Sequence, residues 1–281
     1  MKKSFLVASL SLFSLLSCSP VQSEVSQDNI QESGQKTVII PSLNDDYYRG
    51  FSIDNVLHSD TFGAIHYNVY VPDSYDGSSQ YAIYFTLPGY QGLYRFGPGV
   101  NLETENFAFE AMTYIDDMII VAPQLNDWGE TSARETIELV HYFLENYNID
   151  RDRVYANGYS GGGETMSLVM GIEPELFTRY LHCSSRWDGD LNTLVDSRVP
   201  VYLVIGENDE YYGSESTIET YNTIVQLYEE DGLDNNTISS LVTLDVKEHD
   251  YFTSQGINNE HGGGGQLFSR DETIMGWLFQ E

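Results

Sequence analysis

A serine becomes a nucleophile only when a turn exposes it and a base can take its proton. The stretch Gly158-Tyr159-Ser160-Gly161-Gly162 follows a short apolar run, residues 154–156, and precedes another, residues 166–170. A G-x-S-x-G between a strand and a helix is the sequence form of a nucleophile elbow. Its strained turn presents the serine, and glycines two residues to either side leave room for neighbouring backbone. The same turn aims the Gly161 N–H and the helix N-terminus at a developing oxyanion. In such an elbow the acid and then the histidine follow the serine along the chain. The apolar run 199–205 leads into Gly206-Glu207-Asn208-Asp209-Glu210. Of its three carboxylates Asp209 is the expected acid, with Glu207 and Glu210 as alternatives. Only His249 and His261 lie beyond it. His261 opens the glycine run 262–265, which reads as a flexible loop that lets the imidazole swing toward Ser160, so it is the expected base ahead of His249. His58, His66, His141 and His182 are given no catalytic role. The second oxyanion donor is expected in Leu87-Pro88-Gly89-Tyr90-Gln91-Gly92, with the backbone N–H of Tyr90 as candidate.

These groups need a scaffold that gathers them at strand ends. Residues 50–58 and 65–71 are rich in β-branched and aromatic types and stop at the turn Pro72-Asp73, which predicts an antiparallel opening. After that the pattern changes to short, continuously apolar runs at 81–87, 118–122, 154–156, 199–205 and 241–246, with a weaker one at 180–183. Such runs, separated by helical stretches, are the mark of parallel strands buried on both faces. Capping boxes are expected at Ser132 with Glu135, Ser216 with Glu219 and Ser269 with Glu272, each before apolar residues at helical spacing. The fold class that follows is α/β, a mostly parallel sheet covered by helices on both faces, with catalytic groups where strands end. The 21 tyrosines are expected mainly in sheet packing. Trp128 and Trp187 follow predicted strands and are candidates for a substrate platform.

The bulk composition narrows the partners. With 43 acidic against 13 basic residues the formal charge is -30, which argues against nucleic acid, since phosphate contacts need clustered Lys and Arg. No His and Cys cluster has ligand spacing, so no metal or organic cofactor is expected. Met1, Lys2 and Lys3 lead into the apolar run 5–16, too short to span a bilayer as a mature helix and therefore read as an export signal, residues 1–17. Leu15-Leu16-Ser17-Cys18 resembles the lipobox of bacterial lipoproteins, which implies lipidation at Cys18 and an exported, lipid-anchored protein. Residues 18–40 are polar and read as a tether. Residues 41–281 are enough for one catalytic domain. With Cys18 acylated, Cys183 is the one remaining thiol and no internal disulfide forms.

Asn148-Ile149-Asp150-Arg151-Asp152-Arg153-Val154-Tyr155, followed by the elbow, resembles single-domain esterases of the polyhydroxybutyrate depolymerase and feruloyl esterase kind, and it is similar to the catalytic domain of prolyl oligopeptidases. The resemblance runs loosely from about Tyr67 onward. It implies an α/β-hydrolase fold, the triad Ser160, Asp209 and His261, and an oxyanion loop at Gly89-Tyr90. It also implies ester hydrolysis through an acyl-enzyme on a small or carbohydrate-linked ester of acetyl or feruloyl type. Those families often place a histidine before the loop glycine, where this chain has Pro88, and that departure bears on subfamily and substrate. The alternatives are a prolyl oligopeptidase-like peptidase, for whose propeller this chain leaves no room, and a polyester depolymerase.

Overall fold

The computed structural model describes residues 42–280. The expected export signal, Cys18 and the tether lie outside them. The described chain opens with β1 (Tyr47–Tyr48), β2 (Phe51–Ser59), β3 (Gly63–Tyr70) and β4 (Tyr81–Leu87), then α1 (Asn101–Thr104) and α2 (Phe107–Ala111). Next come β5 (Met118–Pro123), α3 (Glu130–Asn146), β6 (Ile149–Tyr159), α4 (Gly161–Met170), β7 (Arg179–Cys183) and α5 (Leu191–Ser197). The chain continues through β8 (Val201–Gly206), α6 (Glu215–Glu230), α7 (Asn235–Leu241) and β9 (Val242–Lys247), and closes with α8 (His249–Thr253), α9 (Glu260–Phe268) and α10 (Glu272–Phe279). The nine strands form one sheet in the order β1-β2-β3-β5-β4-β6-β7-β8-β9. β1, β2, β3 and β5 pair antiparallel, and every contact from β5 to β9 is parallel.

The continuous apolar runs are explained by what covers each face. On β4, Ile83, Phe85 and Leu87 point into one core with Phe143 of α3, Met166 of α4 and Tyr228 of α6. Ala82 and Tyr84 point into the other, with Phe107 of α2, Phe268 of α9 and Leu278 of α10. Because side chains alternate along a strand, covering both faces requires apolar residues at every position. Tyrosines serve this packing: Tyr67, Tyr81, Tyr84, Tyr155, Tyr180 and Tyr202 are all buried strand residues.

The helix starts differ from the expected capping boxes. α3 begins earlier, at a Gly129 cap, and Ser132 lies inside it because its hydroxyl donates to Asp127 Oδ1 at 2.6 Å. Ser216 lies inside α6, which starts from Ser214 without a side-chain cap. Ser269 ends α9 instead of starting α10. The cap there is Asp271, whose carboxylate accepts the N–H groups of Thr273 and Ile274. Asp accepts as well as Ser at this position and sits one residue before the helix, so it wins.

Candidate active site

β6 delivers its last residue, Tyr159, to the carboxyl edge of the sheet, and the chain turns at Ser160 into α4. Ser160 has φ 53° and ψ -125°, a sparsely populated region that costs on the order of 1–3 kcal/mol and must be held by its surroundings. Four bonds hold it. Its N–H donates to Cys183 O at 3.1 Å, and its carbonyl accepts from Gly163 N, Glu164 N and the Ser185 hydroxyl, the last at 2.6 Å. Ser185 is itself fixed by a buried chain in which the Tyr180 hydroxyl meets His182 Nδ1 and His182 Nε2 meets the Ser185 carbonyl. Burial pushes His182 down to about 4, so it is a neutral strut for the elbow. The elbow glycines are required by contact: a Cβ on Gly158 would lie 2.5 Å from Gly162 O, and one on Gly162 would overlap the Leu87 and Pro88 carbonyls.

Ser160 Oγ lies 3.0 Å from His261 Nε2. His261 Nδ1 lies 2.9 Å from Asp209 Oδ2 and 3.1 Å from Oδ1. The carboxylate fixes the tautomer: Nδ1–H donates to it, and the Nε2 lone pair faces the serine hydroxyl. Asp209 also accepts the N–H groups of Tyr211 and Tyr212 on Oδ1, at 3.0 and 2.9 Å. Its side chain is fully buried while that of His261 is 18% exposed, so the acid is sealed and the base meets the substrate side. The two alternative acids do other work. Glu207 accepts the His249 N–H, and Glu210 accepts the Glu260 and His261 N–H groups at the start of α9. His249 pairs with Glu260, not with Ser160.

The structure corrects one local expectation here. The glycine run 262–265 is helical, part of α9, and His261 sits in that helix's first turn. The Asn259 side chain caps the helix by accepting the Gly262 N–H. The imidazole is walled by the rings of Tyr159, Tyr211 and Tyr212, with centroids 5.8, 5.2 and 5.5 Å away. The Tyr159 hydroxyl donates to the His261 carbonyl. The base is therefore held, not swinging.

A cavity of about 550 Å³ opens over the serine, lined by Tyr90, Gln91, Glu105, Trp128, Gly161, Glu164, Tyr211 and Tyr212 among others. Tyr90 and Gly161, the expected oxyanion residues, both lie on its wall. The Gly89 N–H is taken by Glu105 at 3.3 Å, which leaves Tyr90 as the next donor of that loop. Gly161 opens α4, whose first N–H groups have no partner within the helix. Trp128 also lines the cavity, its indole packed so closely on the elbow that a Cβ on Gly161 would lie 2.6 Å from it. Trp187 does not line it, against expectation. Its ring packs on Tyr180 and His182 and its Nε1–H donates to Gly189 O at 3.1 Å, so core packing and that bond turn it away. Two carboxyls on the wall were missed. Glu164 stands one helical turn after the nucleophile, a spacing that could have flagged it, and pairs with Arg186 at 3.3 Å. Glu105 carries no sequence signal within an acidic chain.

No curated protein sequence matches the chain significantly. The profile of the prolyl oligopeptidase family matches residues 124–225. Among solved structures, a thermostable esterase superposes with a TM-score of 0.64 at 19% identity, over 82% of this chain and 62% of the esterase. A feruloyl esterase module from Clostridium thermocellum, complexed with sinapinate, gives 0.56 at 15% identity over 83% of this chain and 89% of the module. Oligopeptidase B from Leishmania major gives 0.53 at 13% identity, and there this chain spans 36% of the larger protein. The chain has the α/β-hydrolase fold and lines up Ser160, His261 and Asp209 in it, and the segment that matches the prolyl oligopeptidase family holds Ser160 and Asp209 but ends before His261.

Proposed function

We propose that the protein is a serine carboxylic-ester hydrolase that works through an acyl-enzyme. The observation that carries this is the continuous chain Asp209, His261, Ser160, with links of 2.9 and 3.0 Å, opening into the aromatic-walled cavity. Ser160 Oγ attacks the ester carbonyl while His261 Nε2 takes its proton, and the ionised Asp209 steadies the imidazolium. The N–H groups of Tyr90 and Gly161 receive the oxyanion. The C–O bond to the alcohol breaks as His261 returns the proton to the leaving oxygen. Water then gives a proton to His261 and attacks the acyl carbon, and the acyl bond to Ser160 Oγ breaks as His261 returns that proton to Oγ, releasing the acid.

The volume and the rings of Tyr90, Trp128, Tyr211 and Tyr212 suit a small or carbohydrate-linked ester of acetyl or feruloyl type. The feruloyl esterase module that shares the fold, and that was captured with sinapinate, supports the same reading. The family match over residues 124–225 favours a second one, a peptidase that uses the same triad on short peptidyl amides. Export and lipid anchoring through Cys18 complete the proposal and rest on the N-terminal sequence.

The deciding assay sets p-nitrophenyl acyl esters and methyl ferulate against peptidyl p-nitroanilides, with Ser160→Ala and His261→Ala alongside. Ester turnover that falls by roughly 10³-fold or more in both variants is the expected result. Amide turnover at ester-like rates would move the assignment to the peptidase, and a protein inert to every substrate and to fluorophosphonate would end the hydrolase reading.

A further inference from the structure

We infer that Glu105 is a positioning residue for ester hydrolysis, holding the oxyanion loop against the nucleophile elbow through its bond to the Gly89 N–H. The inference rests on Ser160 being the nucleophile. Glu105 follows α1 directly and is buried, and none of the ion pairs among the described residues includes it. Burying a carboxyl without a cation is unfavourable, and an apolar residue of similar volume would serve stability better.

Its contacts reach the oxyanion loop, the elbow and the helix of the base. Oε2 accepts the Thr104 hydroxyl at 2.6 Å and the Gly89 N–H at 3.3 Å. Gly89 is wedged between this carboxyl and the serine: a Cβ there would stand 3.1 Å from Glu105 Oε1 and 3.5 Å from Ser160 Cβ. The methylenes of Glu105 press on Gly265 of α9, the helix that carries His261. Tying down the Gly89 amide sets the direction of the next one, the Tyr90 N–H, and that is the group the mechanism needs aimed at the oxyanion.

Ionisation tunes the tie. Burial pushes the Glu105 carboxyl up to about 7, and the Thr104 hydroxyl, the Gly89 N–H and His261 pull it partly back. Tyr159 from β6 and Cys183 from β7 also face it, both neutral because burial raises them well above their usual range. The ionised form accepts the Gly89 N–H more strongly and favours the imidazolium that forms on His261. Activity therefore gains a component that rises as Glu105 loses its proton.

The test compares the parent with Glu105→Leu, which keeps the bulk without the acceptor, and Glu105→Gln, which keeps an acceptor that does not titrate. Ser160→Ala serves as blank, with p-nitrophenyl acetate as substrate and thermal unfolding as a check on the fold. Glu105→Leu is expected to lose about 10²-fold in kcat with KM within about threefold, the size of a misplaced oxyanion donor. Glu105→Gln is expected to recover most of kcat while its kcat/KM profile loses the component, expected near pH 7 in the parent, that follows Glu105. A Glu105→Leu variant within threefold of the parent would overturn the inference. So would a Glu105→Gln variant that keeps the parent's pH profile, a readout that decides the matter even where Glu105→Leu does not fold. A parent inert to esters and to fluorophosphonate would instead sink the hydrolase reading, and this inference with it.

Discussion

Replacing Asp209 by Asn tests the assignment of the acid with a geometry that leaves the variant little freedom. Three N–H donors converge on this carboxylate, those of Tyr211 and Tyr212 on Oδ1 and His261 Nδ1–H chiefly on Oδ2. An asparagine has one oxygen for the two places. With the oxygen toward His261, its NH₂ group would face two backbone N–H donors and leave both without their acceptor. With the oxygen toward the backbone, the NH₂ group faces Nδ1 and forces the proton onto Nε2, where it points at Ser160 and no base remains. The second arrangement wins, and kcat is expected to fall by about 10⁴-fold, or about 5 kcal/mol of barrier, while the fold persists. Steady-state ester hydrolysis with thermal unfolding as control measures both. Glu207→Gln and Glu210→Gln, which keep their acceptors for backbone N–H groups, should stay within about tenfold of the parent. An Asp209→Asn variant retaining a tenth of parental kcat, beside a Glu210→Gln variant that loses more, would transfer the role to Glu210.

Two buried groups give opposite responses of stability to pH. His182 titrates near 6.5 unfolded and near 4 folded, so as pH falls through that window the unfolded chain takes a proton the folded one refuses and about 3 kcal/mol is lost. Glu105 titrates near 4.5 unfolded and near 7 folded, so about 3 kcal/mol is lost as pH rises through that window. The slopes offset each other in the parent; urea unfolding at pH 4.5 and 7 should show a steeper acid loss in Glu105→Gln and its reverse in His182→Asn, and equal slopes in all three would refute the burial argument. Of the two tryptophans, Trp128→Ala should raise KM for aromatic acyl esters by roughly 3–10-fold, the worth of a ring contact. Trp187→Phe should cost stability and leave KM alone, and the opposite pattern would return Trp187 to the substrate.

What the sequence revealed follows from where the physics is local. Strands buried on both faces must be apolar throughout, so β4, β5 and β8 stand out as unbroken runs. The elbow glycines announce Ser160 because a turn that tight excludes Cβ atoms within a few residues. Helix starts were less legible, since Ser132 and Ser216 have the right spacing and yet the caps of α3 and α6 lie three and two residues earlier. Trp187 and Glu105 were illegible for the same reason. Whether a side chain faces a cavity or a core depends on how the folded chain brings its partners to it, the nearby His182 and Gly189 for the first and the more distant Gly89 and Gly265 for the second.

The glycine run after His261 separates local from tertiary reasoning most sharply. Read locally, four glycines mean a hinge, and within a helix each is less favourable than alanine by about 1 kcal/mol. α9 forms nonetheless, because Asn259 and Glu210 satisfy the N–H groups of its first turn. The glycines then serve close approach. A Cβ on Gly265 would run into Glu105 Cγ and reach 3.3 Å from the Tyr159 ring, both buried. The atoms nearest to a Cβ on Gly263 belong to Ile257, a partly buried side chain remote from the triad, which would have to shift from 2.3 Å. Gly263→Ala should therefore keep full activity, its helix-propensity gain of about 1 kcal/mol set against the displacement of Ile257. Gly265→Ala should displace Glu105 from Gly89 and lower kcat. Equal losses of activity in both variants would mean that the run acts as a hinge after all, and a Gly265→Ala protein both stabilised and fully active would show that α9 does not press on Glu105.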